Sequence, residues 1–462
     1  MKKVIHWFRR DLRLEDNTAL LAAGEKASQV VPVFCWDDEY LSRPDVGAPR
    51  VWFLRESLVE LAEGIRKCNG RLIILRGKPE EEILKFAREC GAEAVFFNKD
   101  YEPYARKRDA LAAERLREMG VASESFSDLL IREPGEVLTR DGRPFSVFTP
   151  FSKAWREVEP ASPAGVFGDF GGPCLAGSDH IPYLLDLRFS LPEGFQESGW
   201  VPGETAGKER LLKFASDAVM KYADRRDFPA EDGTSRLSPY LKFGNVSMRQ
   251  VYDTCRESFK FTQELVWREF YFHVLWHWPE VEHTAWMESR RDLQWDENVT
   301  LLDAWRNGQT GYPIVDAGMR ELNATGWMHN RVRMIVASFL TKDLHLNWQE
   351  GERYFMLRLL DGDLAPNSGG WQWAASVGVD PRPLRIFNPW LQSEKFDPEG
   401  SYIRKWVREL DGVPADKIHR PHEMSTGEQL LYGCEIGKDY PAPVVDHAEE
   451  RRLAMERYRV SG

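Results

Sequence analysis

The sequence predicts an α/β domain built on a doubly wound parallel sheet at residues 1–130, an all-α domain at 204–462, and a long connector at 131–203. Three observations lead there. Up to about residue 130, short β-branched or aromatic runs alternate with helical patterns, as in a parallel sheet wrapped by helices. From about 135 to 200 the chain is rich in Gly, Pro, Ala and Ser, EPASPAGVFGDFGGPCLAGSDHIP being typical, and reads as a connector crossing the surface. Beyond about 205, apolar residues recur at three- and four-residue spacing. With 462 residues, the chain is long enough for two buried cores.

In order, VIHWF, VVPVFCW, RLIILRG and AEAVFFNKD are the predicted strands, with RVWFLRESLVELAEGIRK and PEEEILKFAREC as helices between them. FRRDLRLEDN follows the first strand where a dinucleotide fold would carry G-x-G-x-x-G, and no Walker A loop occurs, so the usual nucleotide cradles are not encoded. The sheet binds something else or serves as scaffold. In the second half, LVWREFYFHVLWHW, GMRELNATGWMHNRVRMIVASFLTKDL and WQEGERYFMLRLL have the helical period, and a charged helical stretch, VVDHAEERRLAMERYRV, closes the chain with no long tail expected.

Composition narrows the classes. The chain is 42% hydrophobic and 29% charged, as folded proteins are. Its N-terminal segment reads as neither secretory signal nor anchor, and no apolar run reaches the roughly 18 residues of a spanning helix, so a cytoplasmic protein away from membranes is expected. Six widely spaced cysteines without a C-x-x-C pair read as reduced thiols. A formal charge of −11 argues against a polyanion partner but allows a local basic face. The 17 tryptophans suit stacking surfaces and redox relays as well as core.

Five motifs carry chemistry. His273 and His277 have helical metal-pair spacing, but Val274 stands where a zinc protease needs Glu, so core packing is the reading and no metal is expected. GTSRLSPYLKFG places Thr234, Ser235 and Ser238 beside Arg236 at an apparent helix start, an anion site or an ordinary N-cap. Glu264, Trp267, Arg268 and Tyr271 share one helix face, as a binding surface or a solvated one. Asn330, Arg331, Arg333 and Met334 form a polar patch in an apolar helix. DGDLAPNSGGWQWAAS packs Asp361, Asp363, Asn367, Gly369, Gly370, Trp371 and Trp373 together, and a capped turn alone does not explain two acids and an amide beside two indoles.

Together, HWFRRDLRLEDN, RDFPAEDGTSRLSPYLKFG, ELVWREFY, ATGWMHNRVRM, DGDLAPNSGGWQWAAS and RIFNPWLQSEKFD resemble the photolyase/cryptochrome flavoproteins over nearly the whole chain. With GGWQW after Asn367, the sequence is most similar to the class I cyclobutane pyrimidine dimer photolyases; plant-type cryptochromes carry Asp at that Asn. The resemblance implies an N-terminal antenna domain and a helical domain binding FAD, active as FADH⁻. FAD would be held by Tyr222, Thr234, Ser235, Arg236, Leu237, Ser238, Arg268, Tyr271, Arg333, Asp361, Gly362, Asp363 and Asn367. Asp361 would pair with Arg333, and neutral Asn367 would face the flavin, where a carboxylate would repel the anion.

The resemblance further implies repair of pyrimidine dimers in DNA by light-driven electron transfer to a flipped-out dimer. Glu264, Trp267, Asn330, Met334, Trp373 and Gln392 would line its cavity, and Arg226, Arg331 and Arg385 would contact phosphates. Trp371, Trp348 and Trp295 align with the family's relay that re-reduces flavin. Tyr104 and Ala105 replace the Asn-Glu pair of folate-binding members, so the resemblance implies a deazaflavin or second flavin as antenna, or an empty site, rather than methenyltetrahydrofolate. A monomer is the family expectation. The rival readings are a blue-light receptor without repair and an electron-transfer flavoprotein.

Overall fold

The computed structural model describes residues 1–176, 184, 186, 190–379 and 384–460; the stretches 177–183, 185 and 187–189 of the predicted connector lie outside them. Five strands, β1 (Lys3–Phe8), β2 (Gln29–Trp36), β3 (Ile73–Arg76), β4 (Ala94–Asn98) and β5 (Ala122–Phe126), form one sheet in the order β3-β2-β1-β4-β5. Every pairing is parallel, with Ile5 opposite Val31 on one side and Val95 on the other. Strands β1 and β2 are buried on both faces, which is why they read as unbroken apolar runs rather than alternating ones. The edge strand β5, ASESF, is polar and half exposed, and this composition hid it from sequence reading.

The strand order reverses between β1 and β4, so their carboxyl ends frame a crevice of the kind in which α/β sheets bind ligands. Arg9 and Arg10 follow β1 there, and Asp100 and Glu102 follow β4.

Six helices position the rest: α1 (Phe148–Trp155), α2 (Phe259–His277), α3 (Asn330–Ser338), α4 (Trp348–Arg358), α5 (Leu364–Ala374) and α6 (His447–Val460). The run read as one helical stretch through GMRELNATGWMHN is broken. Pro313–Thr325 ends at Gly326, whose positive φ closes the helix, and α3 starts afresh with His329 as N-cap.

The connector region is anchored to the rest of the fold at several points. Helix α1 packs along α2, Val166 bridges Glu15, and Phe167 and Phe170 are buried against the α/β domain, with Val30 N donating to Phe170 O at 3.0 Å. The two halves share one apolar core, in which Leu12, Phe53 and Leu54 meet Phe214, Tyr240 and Phe243. Leu12 N donates to Phe243 O at 3.1 Å, and Gly244, at φ 66°, lies so close to Arg10 O that any Cβ would overlap it. No helix among the described residues is long and apolar enough to cross a membrane.

Glu269, in the middle of α2, shows how the connector is tied in. Its buried carboxyl accepts from the backbone N–H groups of Ile131 and Arg132 and from Trp155 Nε1. Burial pushes its pKa up to about 7 in spite of those donors. A carboxyl whose folded pKa is raised stabilises the fold below its ordinary range, and that contribution is lost as pH rises through about 7. We expect thermal unfolding scans of Glu269→Gln to show a flatter dependence on pH than the parent chain between about pH 4.5 and 7.

Candidate active site

A cavity of about 510 Å³ opens among α2, α3, α4 and α5, with Tyr222 and Ser238 completing its wall. Of the residues expected to hold a cofactor, Tyr222, Ser238, Arg268, Tyr271, Arg333, Asp361, Asp363 and Asn367 line it; of those expected to meet substrate, Arg226, Glu264, Trp267, Asn330, Met334 and Trp373 do. Trp371 also reaches it. Two sets singled out for different partners therefore share one space.

The local sequence explains the walls. Asp363 is the N-cap of α5, yet its carboxylate makes no capping bond, because Arg10 (2.8 Å), Arg268 (2.7 Å) and Lys242 (3.2 Å) claim it. Burial opposes its charge, but these three cations outweigh burial and hold the carboxyl well below the usual carboxylate range. Arg333 Nη2 donates to both oxygens of Asp361, at 2.8 and 3.1 Å. The two glycines of α5 do different things: Gly369 packs against the Tyr271 ring with no room for a Cβ, whereas Gly370 faces open space in the cavity.

Asn367 gives Nδ2 to Glu352, at 2.9 Å to Oε1 and 3.1 Å to the backbone carbonyl, which leaves Oδ1 as its atom for a ligand. Burial pushes the Glu352 carboxyl up to about 6, against that hydrogen bond. Trp267 is stacked on Phe148 at 3.5 Å, so the connector backs one face of its ring. Arg226 is paired with Glu264, and Arg331 donates to Asp227 at 2.8 Å. The Arg385 guanidinium sits over the Trp373 ring at 4.9 Å.

Other expected residues lie apart from the cavity wall. Thr234, Ser235, Arg236 and Leu237 lead into the short helix Ser238–Phe243, which has no side-chain cap; Ser235 Oγ accepts only a long bond from Leu237 N, 3.4 Å, and Arg236 has φ 50°. Gly362 lines a different pocket, described below. Arg331, Arg385 and Gln392 lie beyond the wall, and Gln392 Oε1 is buried with no partner. Trp348 opens α4 and is buried, while the half-buried Trp295 precedes Asp296, whose N–H donates to His345 O at 2.9 Å. Trp305 meets Trp371 edge-on at 6.0 Å. His273 and His277 both bond Pro134 O, at 3.0 and 3.1 Å, and burial and its neighbour His277 push His273 down to about 4.

A second pocket, about 160 Å³, occupies the crevice at the carboxyl ends of the strands. Phe34, Val51 and Leu54 give it an apolar floor, Tyr104 and Ala105 lie on its rim, and Tyr40 stacks on Tyr104 at 4.8 Å. Arg10, Glu102 and Lys242 line it as well, so the ionic cluster around Asp363 is a wall common to both pockets.

Sequence reading missed Glu352, Asp227, Phe148, Arg10 and Lys242. Only Arg10 had a signal, its place just past the first strand at a sheet's carboxyl edge. The others act through partners far away in the chain.

Arg268 Nε is buried, unpaired and on the cavity wall, a donor left over for an anionic ligand, and it stands beside neutral Asn367 and the indole of Trp371. That set suits a ligand with a flat ring and a negative charge, and the family matches of the two halves make the chain a flavoprotein with an α/β and a helical part. Residues 4–165 match the family model for DNA photolyase, and residues 261–460 that for the FAD binding domain of DNA photolyase. The chain is 41% identical to the deoxyribodipyrimidine photo-lyase of a Synechococcus species, over 96% of this chain and 94% of that protein. It superposes on a bacterial class III photolyase from Agrobacterium tumefaciens with TM-score 0.94 at 39% identity, covering 100% of this chain and 98% of the other. An archaeal photolyase from Sulfolobus tokodaii, solved with two FAD molecules, gives TM-score 0.87 at 35% identity, covering 99% and 100%. The chain belongs to the DNA photolyase family.

Gly351 of α4 lies against the Trp371 ring with no space for a methyl group. Gly351→Ala should therefore cost about 1–3 kcal/mol of stability by overpacking, read by chemical denaturation.

Proposed function

We propose that this chain is a deoxyribodipyrimidine photo-lyase that repairs cyclobutane pyrimidine dimers in DNA, with FADH⁻ as cofactor. The observation that carries this reading is the single cavity lined both by charged pairs suited to a flavin, Arg333–Asp361 and Arg268–Asp363, and by aromatic and amide groups suited to a flipped pyrimidine pair. When bound, photoexcited FADH⁻ supplies the electron that splits the cyclobutane ring and takes it back, without net redox change.

The protein's own residues do the rest. Tyr222, Tyr271, Arg268, Asp361 and Asp363 hold the cofactor, while Thr234, Ser235, Arg236, Leu237 and Ser238 offer hydroxyls and backbone N–H groups to its pyrophosphate. Asn367, its Nδ2 committed to Glu352, presents a neutral acceptor where a carboxylate would repel an anion. Trp267, backed by Phe148, and Trp373 stack on the lesion at ~1–3 kcal/mol per base. Glu264 and Asn330 hydrogen-bond the pyrimidine edges, Met334 closes the space, and Gln392, beyond the wall, keeps a free Oε1 for the lesion's outer edge. Extruding a damaged pair costs less than extruding an intact one. Arg226, Arg331 and Arg385 take the flanking phosphates, a contribution that salt weakens. Trp371, Trp348 and Trp295 relay electrons inward from the surface; indoles are readily oxidised.

The strand-end pocket is our candidate antenna site. Its apolar floor and aromatic rim suit a deazaflavin or second flavin, and Tyr104 and Ala105 replace the Asn-Glu pair that would favour a folate. Six unpaired cysteines suit the reducing cytoplasm in which we place the protein.

Under near-UV light the purified protein should convert dimer-containing oligonucleotides to intact pyrimidines; an inactive, flavin-loaded protein would refute the reading. Glu264→Ala should retain the flavin spectrum and bind dimer DNA about tenfold more weakly, the loss of one hydrogen bond to a charged group. Trp371→Phe should abolish photoreduction of oxidised flavin, followed by absorbance, and leave repair by chemically reduced enzyme intact.

A further inference from the structure

Two of the three arginines assigned to DNA are already engaged with carboxylates. Arg226 Nη1 donates to Glu264, and its Nε lies 3.8 Å from Asp227. Arg331 gives both Nη2 (2.8 Å) and Nε (3.3 Å) to the same Asp227 oxygen, and its guanidinium also lies over the Phe396 ring at 4.3 Å. The result is a chain, Glu264–Arg226–Asp227–Arg331, in which two carboxylates cancel two guanidinium groups. Asp227 is its centre, and it is outside the cavity wall. Neither arginine side chain is more than 17% exposed, whereas Asp227 is 33% exposed.

We propose that Asp227 is a positioning residue for lesion specificity, clamping Arg226 and Arg331 at the cavity so that phosphates reach them only where a dimer has entered it. The inference rests on the dimer-repair reading above. A guanidinium has five N–H donors, and Asp227 takes one edge of Arg331, which fixes the direction in which the remaining donors point. An undamaged duplex would have to pull Arg226 away from Glu264 and leave a half-buried carboxylate unpaired, which is costly. A flipped dimer brings its own N–H groups to Glu264, so in that complex Arg226 is released to a phosphate without orphaning the acid. Clamped guanidinium groups also cannot swing out along an intact backbone.

The test compares binding of undamaged and dimer-containing duplex across a salt series in the dark, using flavin-loaded protein. For Asp227→Asn, undamaged duplex should bind roughly threefold to tenfold more tightly, and its plot of log K against log salt should steepen by about 0.9, one added phosphate contact. Dimer DNA should change less, so discrimination falls, and Asp227→Glu should restore it. An unchanged salt slope for undamaged duplex would overturn the inference, as would equal weakening on both DNAs, which would make Asp227 a mere support for arginine orientation. Parent protein that itself fails to prefer dimer DNA would instead bring down the proposed function.

Discussion

One buried carboxylate holds this molecule together at its functional centre. Asp363 is 1% exposed and paired with Arg10 from the α/β domain and with Lys242 and Arg268 from the helical one. A charge so deep is tolerated only when its partners stay in place, because removing one leaves an uncompensated ion, typically at 3–5 kcal/mol. The cluster therefore constrains the docking of the two domains more tightly than apolar contact would. Asp363 is also the N-cap of α5, its backbone carbonyl accepting from Asn367 N at 3.0 Å in the first turn of the helix that carries Asn367, Trp371 and Trp373.

The same cluster explains how two pockets coexist. Arg10, Lys242 and Glu102 face the strand-end crevice, Arg268 faces the large cavity, and Asp363 joins them. The two pockets thus share a polar partition, and the apolar core common to the two domains, with Leu12 and Phe53 in one cluster with Tyr240 and Phe243, lies behind it.

The acidic total and the DNA assignment are compatible for a local reason. Arg226 and Arg331 are paired with Glu264 and Asp227, so on the proposed reading a chain with a net charge of −11 has basic groups at the cavity that are masked in the free protein. On that reading, phosphate binding exchanges one anionic partner for another, so that contact depends on what else occupies the cavity.

By itself the sequence determined the alternation that builds a parallel sheet, the helical period of the second half and, through motifs such as DGDLAPNSGGWQW and ELVWREFY, the family and most of the cavity wall. These were legible because periodicity and short motifs are local, and residues three and four apart on a helix must share a face. Tertiary structure alone decided that Glu352 holds Asn367, that Phe148 backs Trp267, that Asp227 links two arginines, that Gly362 faces the smaller pocket, and that Phe167 and Phe170 pin the connector. Each of these joins a residue to a partner across a turn, a helix or a domain boundary. Burial, which strengthens such pairings and makes them obligatory, is a property of the assembled fold and leaves no periodic trace along the chain.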